Sequence, residues 1–92
     1  MTHQEQALQI QFDSAQAHND VGLAYGKLGK HREAIKAFKE AILMKPDYAE
    51  AHYNLAITYL ILKDENGALR EYSVLKDFDQ TRAIQLFELI HG

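Results

Sequence analysis

Cysteine and tryptophan are both absent from the 92 residues, proline occurs once and glycine only five times. Without cysteine there is no disulfide framework and no thiolate metal site. One proline and few glycines leave little material for long loops, so regular elements joined by short turns must make up most of the chain. A long hydrophobic run is missing too. The longest, Leu55 to Leu62, is broken by Thr58 and Tyr59 and falls far short of the roughly 20 residues that span a bilayer. Nor is there an excess of basic charge: ten Lys and Arg stand against thirteen Asp and Glu, a formal net charge of −3. That balance speaks against a nucleic-acid partner, whose phosphates call for a dense basic face. The opening residues, Met1-Thr2-His3-Gln4-Glu5-Gln6, have neither the basic nor the apolar stretch of a secretory signal. A cytoplasmic chain, bound to neither membrane nor nucleic acid, is the expectation.

What remains is a composition of 47% hydrophobic and 25% charged residues, ordinary for one small globular domain. An internal repeat organises it. Shifting the sequence by 34 residues, the separation of His18 and His52 (52 − 18), lays Ala15 on Ala49, Ala17 on Ala51, Tyr25 on Tyr59, Leu28 on Leu62 and Ala34 on Ala68. Similar residues fill the gaps: Val21 with Leu55, Gly22 with Ala56, Ile35 with Leu69, Phe38 with Tyr72. One unit is residues 15–48 and the next 49–82.

Each unit reads as a pair of helices. Ala17, Val21, Ala24, Tyr25 and Leu28 recur at three- and four-residue steps, and Ala34, Ile35, Phe38, Ala41 and Ile42 form a second such stripe. Gly29 between them suits the left-handed conformation that ends helices. Pro46 closes the second helix, lacking a donor and restricting the residue before it. Asp47 is then placed to cap the next helix, and Asp64 the one after. In the second unit the stripes are Ala51, Leu55, Thr58, Tyr59 and Leu62, then Ala68, Leu69, Tyr72 and Leu75. Small residues set the hairpin contacts. Gly22 is expected to face Ala34, and Ala56 to face Ala68, because only small side chains let helices approach near the short end of the roughly 8–10 Å packing range.

This pattern resembles the tetratricopeptide repeat, whose signature is W-x2-L-G-x2-Y, then A-x3-F, then P. The first unit has His18, Val21, Gly22, Tyr25, Ala34, Phe38 and Pro46 at those places; the second has His52, Leu55, Ala56, Tyr59, Ala68, Tyr72 and Gln80. Both replace the tryptophan with histidine. The second also has Lys63 for the turn glycine, at a cost of about 1 kcal/mol if it takes the left-handed conformation. The resemblance implies an all-α array of antiparallel helical hairpins, a superhelical solenoid of about six helices. Residues 1–14 keep the same phase, Ala7 matching Ala41 and Leu8 matching Ile42, and read as an incomplete repeat, the second helix of a hairpin lacking its first. Ile84, Leu86, Phe87 and Ile90 mark a C-terminal capping helix over 80–91.

By the same resemblance the concave side, lined by the first helix of each hairpin, is where a partner protein or peptide would bind. The residues expected there are Asn19, Leu23 and Lys27 from one unit, with Gln16 and Asp20 beside them, and Glu50, Tyr53, Asn54, Ile57, Leu60 and Ile61 from the other. Because Tyr53, Ile57, Leu60 and Ile61 make the third helix apolar nearly all round, this face is expected either to pack on a terminal helix or to form an apolar groove. A competing expectation is a structural unit that forms a homo-oligomer through Leu8, Ile10 and Phe12. Some tetratricopeptide domains clamp carboxylates with Lys, Asn and Arg. The matching places hold Asn19, Leu23, Asn54, Ile84 and Glu88, of which Asn54 alone agrees, so a clamp is disfavoured.

Five histidines raise the question of a metal. Zinc needs three or four ligands, and there is neither cysteine nor a His-x3-His pair. His18 and His52 instead read as packing residues in the tryptophan place. Gly22, Gly26 and Gly29 follow no strand, so they form no phosphate loop. Ser14 and Ser73 have no evident base and orienting acid. No cofactor, no metal and no enzymatic activity are expected.

Overall fold

A computed structural model describes the backbone from residue 3 and the side chains from residue 12 onward. Among the described residues there are five helices and no strand: α1 (His3–Lys27), α2 (His31–Met44), α3 (Ala49–Ile61), α4 (Glu65–Leu75) and α5 (Gln80–His91). The all-α hairpin array expected from the repeat is the architecture found. The count falls one short of about six because the first two expected helices are a single element of 25 residues. The reason lies one period upstream of Pro46, where the chain has Phe12 (46 − 34). Neither Pro nor Gly interrupts residues 3–21, so the helix runs through Asp13 instead of stopping.

The two hairpin turns are built alike. After α1, Gly29 takes φ +76°, and the Lys30 amide donates back to the Tyr25 carbonyl at 2.9 Å. After α3, Lys63 takes φ +65°, and the Asp64 amide donates to the Tyr59 carbonyl at 2.8 Å. Both are the six-to-one bond of a Schellman cap, so the turn geometry survives the loss of glycine. Asp64 caps α4 as expected, its Oδ1 accepting from the Gly67 amide at 2.9 Å. Asp47 does not cap α3. The cap position belongs to Tyr48, which makes no side-chain cap bond, and the Asp47 carboxylate accepts from Lys45 Nζ at 3.1 Å. A cap absent from the repeat pattern is Asp79, which accepts from both the amide and the guanidinium of Arg82, at 3.0 and 2.8 Å, and so starts α5.

The core is a chain of clusters between neighbouring helices. Ala34, Phe38 and Leu55 join the two hairpins, with Tyr25 and Tyr59 alongside. Ala15, Ala41, Tyr48 and Ala51 close the far end of the same seam. Ala56, Ala68, Leu75, Ala83 and Leu86 bind the second hairpin to α5. Gly22 is buried, and what a methyl group there would strike is the Phe38 ring, at 2.5–2.9 Å. The close approach in the first hairpin is thus of an aromatic face to a helix backbone. In the second hairpin Gly67 performs the same service for Tyr59, whose ring would lie 2.7 Å from an added Cβ.

Candidate functional site

The first helices of the hairpins, the C-terminal half of α1 and then α3, lie in one layer with α5, while α2 and α4 form the other. Between α1 and α3 is a groove of about 260 Å³, lined by Leu23, Gly26 and Lys27 on one side and Asn54, Ile57 and Ile61 on the other. Gly22, Phe38, Thr58 and His31 complete it. It is open beside Gly26, which has no side chain to fill it: nothing lies within 4 Å of a Cβ built there. Leu23 and Ile61 are 38% and 52% exposed, so an apolar surface faces solvent at this place. Nδ1 of His31 is buried against the groove without a hydrogen-bond partner among the described residues. A second, polar depression of about 430 Å³ lies between α3 and α5, among Glu50, Tyr53, Asn54, Thr81, Arg82 and Gln85.

The structure distributes the nine residues expected on the binding face unevenly. Leu23, Lys27, Asn54, Ile57 and Ile61 line the first groove; Glu50, Tyr53 and again Asn54 line the second. Asn19 does neither. It is 1% exposed, and its Oδ1 accepts from Asn54 Nδ2 at 3.1 Å, so it ties α1 to α3 beneath the surface. Leu60 also leaves the face: with Tyr53 and Ile57 it packs against the cluster that holds Ala83 and Leu86 of α5. The apolar girth of α3 therefore serves both purposes, a seat for α5 and a groove wall. Of the residues expected to self-associate, Phe12 is 40% exposed and its ring lies 6.1 Å from that of Tyr48. The side chains of Leu8 and Ile10 lie outside the described residues.

His52 has a role that the repeat pattern did not disclose. It is buried at 5% exposure, with Nε2 at 2.8 Å from the Pro46 carbonyl and Nδ1 at 3.0 Å from Glu71 Oε1. A carbonyl only accepts, so Nε2 carries the proton and Nδ1 faces a carboxylate. Burial opposes charge on the ring, but the Glu71 carboxylate, the Pro46 carbonyl and the charge of Asp47 outweigh it and hold the imidazole above its usual range. The Phe78 ring lies 5.6 Å from that of His52, centroid to centroid. His18, in the same place of the first unit, is half-buried and lines a shallow outer groove with Glu33 and Lys36. The signal was present in the sequence: Glu71 aligns with Ala37 and Pro46 with Phe12, so His18 has neither partner.

Among the described residues, no three His, Asp or Glu side chains come together in a way that could hold a metal ion. No helix among them is long and apolar enough to cross a membrane. Stacked antiparallel hairpins, alternating between two layers and capped by a last helix, define a helical-repeat protein. Residues 27–62, from the end of α1 through α2 and α3, match the family model described as TPR repeat. That family points to a protein-interaction module. No curated protein matches the chain.

Proposed function

We propose that the chain holds a segment of another protein across α1, α3 and α5, with an apolar side chain of that segment in the groove between α1 and α3. The observation that carries this reading is the meeting of Leu23, Ile57 and Ile61, from two neighbouring helices, around a depression that neither helix fills. Apolar anchors flanked by polar contacts are how helical grooves take peptides. Here Lys27 stands at one end of the groove, and the polar depression of Glu50 and Arg82 continues the surface beyond Asn54.

The pair to mutate is Leu23 and Ile61, since both are exposed and their loss leaves the core intact, whereas Leu60 would report on the seating of α5. The expected result is that L23S/I61S melts within a degree or two of the parent while its partner affinity falls by a factor of about 10–100, as for the loss of buried apolar anchors. Binding that is indifferent to both substitutions would move the partner to another face.

A further inference from the structure

We propose a second docking surface in the other layer, a cleft between α2 and α4 that accepts an acidic peptide segment bearing an apolar anchor. The backbones of α2 and α4 do not come into contact, unlike those of α2 and α3 or of α3 and α4. Packed helices leave no such space. What lies between them is a cleft of about 510 Å³, within the usual range for ligand-sized pockets. Its floor is apolar: Leu55 and Tyr59 rise from α3, and Ile42 from α2. Leu43, 77% exposed, stands on the rim.

The charges around this floor name the occupant. Lys39 of α2 and Arg70 of α4 stand on opposite walls, and neither has an ion-pair partner among the described residues. The carboxylate in the cleft, Glu71, is already bound to His52. On a chain of net charge −3, the free charges of this cleft are therefore both positive. An incoming segment with an Asp or Glu on each side of a Leu, Ile or Phe meets an apolar floor and two complementary walls. Complementarity of this kind selects the partner and steers its approach. Two cations on an acidic chain are too few for a nucleic acid, whose binding rests on many phosphate contacts. This surface is separate from the groove between α1 and α3, and the two readings stand or fall independently.

The test is a selection from a displayed library of random peptides. The library is first depleted on immobilised K39E/R70E chain, which keeps the α1–α3 groove intact and removes its ligands, and is then selected on the unmodified chain. Both substituted residues are exposed; circular dichroism and melting verify that the variant folds, and K39A/R70A serves if it does not. We expect enriched peptides that carry acidic residues within about four positions of an apolar one. A synthetic copy should bind the variant at least about tenfold more weakly, lose affinity as salt is raised, and shift the amide resonances of Ile42, Leu55 and Arg70. It should bind L23S/I61S as it binds the parent. No enrichment, enrichment of peptides without acidic residues, or resonance shifts confined to Leu23, Ile57 and Ile61 would each overturn the proposal.

Discussion

The buried ring of His52 links three pieces of the chain: the turn at Pro46, α3, and Glu71 on α4. Because its affinity for a proton is raised on folding, the stability it contributes is fully present below the unfolded value of about 6.5 and is lost as pH climbs through the folded value. The urea midpoint should therefore fall on the alkaline side of about pH 6.5, and H52Q should flatten that dependence. A wild-type midpoint that does not change on going alkaline would show the ring to be neutral. Glycines at nearby places behave in opposite ways. Gly22→Ala drives a methyl into the Phe38 ring, with an overpacking cost of about 1–3 kcal/mol that exceeds the gain in helix propensity of about 1 kcal/mol. Gly26→Ala meets open space and should stabilise by about 0.5–1 kcal/mol, read from denaturant midpoints of the two variants.

At the scale of elements, the turns show how backbone geometry outlasts the residue that usually supplies it. Lys63 adopts the left-handed conformation at about 1–2 kcal/mol of strain, because the bonds to Tyr59 and Leu60 close the turn around it. Lys63→Gly relieves that strain but frees the unfolded chain, so a net gain of about 0.5–1 kcal/mol is expected in thermal melts. Helix starts were less predictable than helix ends. Asp64 caps because its Oδ1 reaches the Gly67 amide; Asp47, following Pro46 by one residue, pairs with Lys45 and leaves Tyr48 at the start of α3. Repeat phase locates a helix within a turn of its true limits, while the capping bond depends on side-chain reach that the phase does not contain. The fusion of the first two expected helices into α1 follows likewise from a missing stop, Phe12 where proline would be.

The whole molecule is a slab of 46 × 29 × 15 Å, two helical layers thick, in which each helix packs mainly on its neighbours in the chain. Such an array is stabilised seam by seam rather than by one central core. Leu86, fully buried, carries much of the last seam, between α5 and the second hairpin. Leu86→Ala should cost about 2–5 kcal/mol, a large part of the stability of a domain this size. Hydrogen exchange should then find α5 opening before α1 and α2, and simultaneous loss of protection in all five helices would show the array to be a single cooperative unit.

The 34-residue period and the hairpin order could both be read from the chain, because they reflect local periodicity. So could most of the groove, since Leu23, Ile57 and Ile61 lie on one face of regular helices. Which of those residues stay at the surface was settled only when the layers came together. Asn19 sank because Asn54 of the next hairpin reached its carboxamide, and Leu60 turned to α5 because that helix lies over it. His52 became braced because a carboxylate and a carbonyl from two other elements met its ring, partners that the place of His18 lacks. Periodicity decides which way a side chain points along its own helix; burial and pairing depend on what arrives from elsewhere, and that is a property of the packed molecule.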